Sequence, residues 1–526
     1  MSGATVDIEA RLIAMRALDL VYRDDKSGDY IFKHALVRDA LYDGLLSIPC
    51  AAFHLKAAAE IERRSGNRLG EVADELAYHY GRANSPAKAF QYGVMAGTKS
   101  LGVYSLDEAE RHFRKALEIA DTHPNVATDR QLTGLMERFT YLLNLNTRST
   151  ELCAVVEKYA TRIEQIGDSP DLVLVLHHYC QALFTGSMFR EARVTGDRAF
   201  AIADRLGDHR ARAYARASRI QCSTILAPMS PEELEREGQL ALEEAKQKPD
   251  GYIENWIPFL LSWDFLHRFE INRAKSFAHD IMQNARERSD PRALGLGLWL
   301  LGWVDILDEQ FANALAHGEE GEKVAILPMD RMVSTQVKGV ALIGLGQVDE
   351  GSRILIELRE QFTKNGWRYN STGTDLILGL ALIMKGKFAK GTSQLRGHIA
   401  ESERQGYRFV ADWARVHLAE VYLELLTGKE KPGIRVLLQN LVFLIRTLPF
   451  AAQMALRLLS QASANQQIGK STVMAARISF GIGLACKIKK RVKEARMHFE
   501  QARKIAEPLK AAALLAKIDM ALAELP

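Results

Sequence analysis

Proline is scarce in this chain: 14 of 526 residues, with 37 glycines. That is too little punctuation for a protein of short strands and tight turns. Cysteine is scarcer still. The five present (Cys50, Cys153, Cys180, Cys222 and Cys486) are odd in number, far apart and form no C-x-x-C pair. This excludes a disulfide framework and a zinc framework, and leaves small buried hydrophobes in a reducing compartment. Neither sign of charge dominates, since 69 Lys+Arg stand against 65 Asp+Glu for a formal balance of +4. A nucleic-acid carrier would show its basic face in those totals. The first residues hold no basic stretch followed by an apolar core, so no export signal is expected. The longest apolar run, Ala293 to Val304, is bounded by Arg292 and Asp305. It falls short of the roughly 20 residues a membrane span needs. The expectation is a cytoplasmic chain with neither a membrane nor a nucleic acid as partner.

What is present is ordinary folded-protein material, 47% hydrophobic and 25% charged. Length alone would predict three or four globular domains, a prior that yields to internal repeats. One local charge imbalance stands out. Between Lys487 and Lys517, ten Lys/Arg face three Glu and no Asp, which reads as a solvated helix turn with its flanks.

A repeat is written in a fixed pair, an apolar residue followed three positions later by a small one. It occurs as Leu106/Ala109, Phe189/Ala192, Ile271/Ala274, Phe311/Ala314, Val348/Gly351, Phe388/Gly391 and Val492/Ala495. Small positions 274, 314, 351 and 391 are separated by 40, 37 and 40 residues, and the steps 109 to 192 and 192 to 274 are 83 and 82. The apolar face continues at i+4 and i+7, as in Phe113 and Ala116 or Phe499 and Ala502, which places one stripe on one helical face. Twelve residues before the small position stands a second glycine: Gly97, Gly302, Gly339, Gly379 and Gly483. A small residue on each of two helices is what a close antiparallel crossing requires. Segments 125–170 and 205–250 are helical in pattern, but no repeat phase is assigned to them or to 430–475.

On these residues the chain resembles the tetratricopeptide repeat family, best at Ala96-Gly97 with Ala109, Phe113 and Ala116, and at Gly483 with Ala495, Phe499 and Ala502. Its period, near 40 in several units, is longer than the 34 of that family. The resemblance implies an all-α superhelix of stacked hairpins with a long concave surface that holds a protein partner.

Residues 5–46 read differently. Ile8, Leu12, Met15 and Leu18 mark a helix. Leu20-Val-Tyr-Arg and Tyr30-Ile-Phe flank a glycine turn ending at Gly28, and a second helix follows in Phe32 to Leu46. Helix, hairpin and helix look like the back half of a winged-helix module. The string Tyr30-Ile-Phe-Lys-His-Ala-Leu-Val-Arg-Asp-Ala-Leu-Tyr42 is similar to the segment closing the ATPase module of bacterial class III adenylate/guanylate cyclases fused to a STAND-type ATPase and a tetratricopeptide tail. Glu75-Leu-Ala-Tyr-His-Tyr80 and Pro86-Ala-Lys-Ala-Phe-Gln-Tyr92 look like that family's junction into its repeats. The resemblance implies a sensor or autoinhibitory arm in signal transduction. It predicts a division into residues 1–50 (partial winged helix), 51–125 (junction helices and a first repeat) and 126–526 (solenoid).

No residue is assigned a catalytic, cofactor-binding or metal-binding role. G-x-x-x-x-G-K-[ST] is absent, and Gly386-Lys-Phe-Ala-Lys-Gly391-Thr lacks the lysine after its second glycine. His34 is expected to cap or pack against the hairpin. His177 and His178, about 100° apart on a helix, do not converge on one ion. His79, between Tyr78 and Tyr80, is a groove or helix-packing residue. Trp299 and Trp303 share a helical face and belong to the core. Asn370-Ser-Thr372 spells a glycosylation sequon only. The reading is a non-catalytic binding or regulatory arm with no cofactor. Its alternative is a subunit of a split cyclase whose catalytic and ATPase domains lie elsewhere.

Overall fold

The computed structural model of the chain describes residues 7–25, 28–44, 47–165, 167–226, 228–428, 433–466 and 468–526. They form two compact units, Met1–Leu135 and Met136–Pro526, both built almost wholly of helices. The fold is all-α and tetratricopeptide-like, a series of antiparallel helical hairpins, with one small strand pair near the start.

In the first unit, helix Ile8–Ala17 leads into strands Val21–Arg23 and Tyr30–Phe32, antiparallel with Val21 opposite Phe32. Helix Ala35–Asp43 follows. The hairpin closes where the Gly28 N–H donates to the Asp24 carbonyl at 2.8 Å. Pairing keeps residues 30–32 extended, so the helix expected from Phe32 starts three residues later; positions 45–46 lie outside the described residues. Neither flanking helix buries a single side chain. Beyond them stand helices Ser47–Ser65, Ala73–Arg82, Pro86–Gly102 and Leu106–Thr122.

The repeat signal has a steric cause. Ala109, Ala192, Ala274, Ala314 and Ala495 are all fully buried, while most of their apolar partners are half-buried over the inter-helix turns. The backbone at that turn takes a left-handed residue two positions before each apolar plug: Tyr104, Ser187, Phe269, Glu309, Gly346, Gly386 and Lys490. There the helix ends in a 6→1 bond such as Met188 N–H to Leu183 carbonyl, 2.9 Å. At Gly346 and Gly386 glycine meets that need without a Cβ.

A further regularity links glycines to bulky residues 16 positions on. A Cβ placed on Gly483 would fall 2.5 Å from the Phe499 ring, one on Gly339 2.7 Å from Leu355, and one on Gly379 3.0 Å from Leu395. Gly97 stands in the same relation to Phe113 in the first unit. The bulky side chain of the second helix thus fills a hollow in the first. Gly302 departs from this pattern, because position 318 is also glycine. Val337 of the following hairpin fills Gly302, and Gly318 admits the backbone of Lys338, 2.9 Å from a would-be Cβ.

The closest crossings are backbone to backbone. A Cβ on Gly391 would lie 2.7 Å from the Gly379 carbonyl oxygen, and one on Gly351 2.6 Å from that of Gly339. Gly397, on the same helix (Phe388–Gln405), has nothing within 4 Å. Gly391→Ala is therefore expected to cost about 1–3 kcal/mol by overpacking. Gly397→Ala should gain up to about 1 kcal/mol of helix propensity. Opposite signs in urea denaturation check the crossing; equal signs contradict it.

In the second unit the first helices of successive hairpins lie inside and the second helices outside. Inner helices are buried all round: every residue from Leu172 to His178 and from Gly295 to Ile306 is buried. Outer helix Phe189–Leu206 buries only the stripe Ala192, Gly196, Ala199, Ile202 and Ala203, besides Phe189. The coil is tight enough for distant hairpins to meet. Asn365 donates to Thr147 Oγ1 at 2.9 Å, Gly469 N–H to the Arg268 carbonyl at 3.2 Å, and Trp263 Nε1 to Tyr369 OH at 3.0 Å.

Candidate binding groove

The expected concave surface is not an open wall in the second unit. Its inner faces meet around stacked rings: Phe259 on Trp256 at 4.6 Å, Trp299 on Phe259 at 5.1 Å, and Tyr369 on Tyr407 at 4.8 Å. His267 Nε2 lies 2.9 Å from Tyr369 OH and its Nδ1 2.7 Å from the Trp263 carbonyl. Burial holds that imidazole down to about 4, so it stays neutral, and pushes the Tyr369 phenol well above its ordinary range. The space left between Trp263, Trp303, Tyr407 and Trp413 is about 40 Å³, room for a water or two and not for a peptide. Large aromatic residues on the inner helices close the channel that smaller ones would leave open. This corrects the expectation of a long open groove, while Trp299 and Trp303 take the core positions assigned to them.

The first unit does hold a groove. Helices Ala73–Arg82 and Leu106–Thr122 form its walls, and the start of Pro86–Gly102 its floor, around about 1020 Å³. The floor is low because Ala89, Gly93 and Ala116 are small, and the Gly93 position is 3.8 Å clear of Ala116 Cβ. Tyr78, Arg82, Arg111, His112, Lys115 and Glu118 line the rim. Most of these charges are committed. Arg111 pairs with Glu108, Arg114 with Glu110 at 2.7 Å and Lys115 with Glu118 at 2.9 Å. Arg82 differs: its guanidinium lies 5.7 Å over the Tyr78 ring, and among the described residues no carboxylate pairs with it. His112 is buried, and burial, then Arg111, holds its ring below the ordinary range and hence neutral. Such a trough, with a small-residue floor, an exposed phenol ring and one uncommitted guanidinium, suits an extended or helical peptide bearing a carboxylate.

The junction motifs have a structural use. Tyr80, Lys88 and Tyr92 converge on Glu62, at 2.5, 2.6 and 2.5 Å. Lys88, then the two hydroxyls, hold the Glu62 carboxylate down to about 2. Sequence reasoning missed Glu62, which stands 18 residues before Tyr80 with no motif of its own. His79 belongs to packing, its Nδ1 2.7 Å from His54 Nδ1, and Tyr42 OH lies 2.8 Å from the other His54 nitrogen. The groove residue is its neighbour Tyr78.

His34 heads helix Ala35–Asp43 through its carbonyl, but its exposed ring makes no capping bond, which corrects the capping expectation. His177 bonds Ser218 Oγ at 2.9 Å and His178 bonds Thr140 Oγ1 at 3.0 Å, so the two rings serve different neighbours. Gly386 carries φ +71° at a turn, and its carbonyl accepts from Asn440 Nδ2 at 2.7 Å. The glycine pair 386/391 is thus used by turn and crossing. Asn370 is buried, with its carbonyl taken by Thr374 at 2.9 Å. Lys487 pairs with Glu524 at 2.6 Å and Arg503 with Asp519 at 3.6 Å.

No family model matches the chain, and no curated protein matches it in sequence. Among solved structures it is similar to a Rap protein complexed with Competence and Sporulation Factor, 12% identical, over 73% of this chain and 99% of that one, with a TM-score of 0.39. The Cut9–Hcn1 hetero-tetramer of the APC/C is 14% identical over 92% and 95%, TM-score 0.43. Yeast Tom70 is 13% identical over 82% and 96%, TM-score 0.34. Likeness at these levels assigns neither activity nor partner.

Proposed function

We propose that the chain is a non-catalytic, protein-binding helical-repeat module, and that the groove over residues 74–123 takes an acidic peptide segment of its partner. The observation that carries this is the trough itself, with Arg82 free of a carboxylate on its rim. A charge-assisted hydrogen bond to Arg82 contributes about 1.5–3 kcal/mol. Fluorescence anisotropy of the full chain against acidic, neutral and basic peptides should show retention of the acidic set. Arg82→Glu should weaken it by roughly tenfold or more, a loss of about 1.4 kcal/mol or more, at unchanged melting temperature. Equal affinity in the variant overturns the groove assignment. Cyclic-nucleotide formation from ATP or GTP by the purified chain overturns the non-catalytic half.

A second reading adds that the module is the sensor tail of a cyclase/ATPase system. It is favoured by the apolar surface that the N-terminal helix–hairpin–helix leaves exposed, including Ile8, Leu18 and Leu36. Such a surface suits coverage by a neighbouring module. A reading frame immediately upstream ending in ATPase sequence supports it, and an unrelated one counts against it.

A further inference from the structure

One segment of the second unit interrupts the hairpin order and turns an apolar face outward. Between inner helix Arg408–Thr427 and outer helix Ala451–Ser463 lie two short helices, Ile434–Gln439 and Leu441–Thr447. Their inner stripe mixes apolar and polar residues, with Val436, Phe443 and Leu444 beside Asn440 and Thr447. Asn440 is buried, donating to the Gly386 carbonyl and accepting from Ala389 N–H, and Thr447 is buried beside Leu444. The outer stripe is aliphatic: Ile434 is 78% exposed, Leu438 66% and Ile445 65%, with Leu441 and Val442 between them. Positions 434 and 438 share a face of the first helix, and 441, 442 and 445 a face of the second. Apolar side chains thus stand on both faces of the element, and the Asn440 bonds hold the aliphatic stripe outward.

Charge names the occupant. No Asp or Glu occurs between Glu430 and Glu494. Arg435 and Arg446 each follow an exposed isoleucine and edge the aliphatic stripe, and Arg457 stands a further 11 positions on. All three are exposed, and among the described residues none pairs with a carboxylate. A second copy of the chain docked face to face through this patch would oppose arginine to arginine, with no acid in the patch to separate them. An apolar face edged by uncommitted cations matches a lipid surface carrying anionic headgroups.

We propose that residues 434–457 attach this protein peripherally to an anionic membrane surface, with the aliphatic stripe entering the headgroup boundary and the arginines meeting phosphates. Stretch Leu441–Ser463 is long and apolar enough to cross a bilayer. However, it tightens to a 3-10 turn at Leu448–Phe450, and Ala451, Ala455, Leu459 and Ala462 are buried against the protein. It therefore lies on a membrane and does not span it. This surface is independent of the peptide groove.

The test is cosedimentation of the full chain with phosphatidylcholine vesicles, with and without about a third phosphatidylglycerol. Binding is expected to the anionic vesicles only and to weaken as salt is raised. Leu438→Glu with Ile445→Glu should reduce it roughly tenfold or more. Arg435→Ala with Arg446→Ala should reduce it by a smaller factor. Both positions of the first pair are exposed, so helicity by circular dichroism stays at the wild-type level. No binding to anionic vesicles overturns the proposal, as does binding that the Glu variant retains. So does a lipid-free, concentration-dependent dimer that the Glu variant abolishes, which would make the occupant a second copy.

Discussion

Phe499→Ala should cost about 3–5 kcal/mol of stability, the range for deleting a fully buried phenylalanine. The ring is wholly buried and fills the hollow over Gly483, in a cluster with Ala495, Ala502, Cys486 and Ile518. Because the hollow exists for lack of a Cβ, the two positions are coupled. In the wild-type background Gly483→Ala forces a Cβ to 2.5 Å from the ring and destabilises. In the Phe499→Ala background that Cβ enters empty space, and alanine's helix propensity, up to about 1 kcal/mol over glycine, makes the same change stabilising. A double-mutant cycle by urea denaturation reads the reversal of sign directly. If Gly483→Ala acts alike in both backgrounds, or Phe499→Ala costs less than about 1 kcal/mol, the filling of glycine hollows by bulky residues 16 positions on does not organise this fold.

Arg268→Ala is expected to be as damaging, at about 3–5 kcal/mol, for an electrostatic reason. Arg268 and Asp264 are both buried; the guanidinium Nε donates to the carboxylate at 2.5 Å and Nη2 donates to the Met229 carbonyl at 2.7 Å. Burial already holds the Asp264 carboxyl above its usual range, against the pull of Arg268. Removing the cation leaves an uncompensated carboxylate in a dry site and frees the carbonyl that Arg268 satisfies. Asp264→Asn with Arg268→Met removes both charges while keeping volume, and should recover more than half of the loss. If the double variant is as unstable as the single, the cost arises from lost packing and not from a stranded charge.

The hairpin repeat was legible because its cause is local. Two helices approach closely only over small residues, and those stand at fixed spacing as Gly339/Gly351 and Gly379/Gly391. Residues 205–250 hid their phase for an equally local reason. Helix Pro231–Gln247 starts from a Ser230 capping box instead of an apolar plug, and its glycine, Gly238, receives Leu261 from the next inner helix. Turn geometry was half visible: glycine marks it at 346 and 386, whereas Glu309 and Lys490 adopt the same left-handed backbone without announcing it. The closing of the inner channel depends on contacts such as Trp263 with Tyr369, 106 residues apart. No spacing rule reaches that far. The groove in the first unit was missed because its key features are absences, a small floor and an arginine without a partner. Stretch 434–450 was obscured because it is apolar on both faces, with Val436 and Leu444 inward and Ile434, Leu438 and Ile445 outward, so no periodicity separates surface from core.

Hydrogen–deuterium exchange on the full chain, with and without a bound acidic peptide, tests the functional account most directly. Slowed exchange confined to 73–82 and 106–123, and lost in Arg82→Glu, is the predicted footprint. Slowed exchange instead along Gly251–His267, Pro291–Leu307 and Arg408–Thr427 would mean that the aromatic interior opens to receive the partner, and would contradict it.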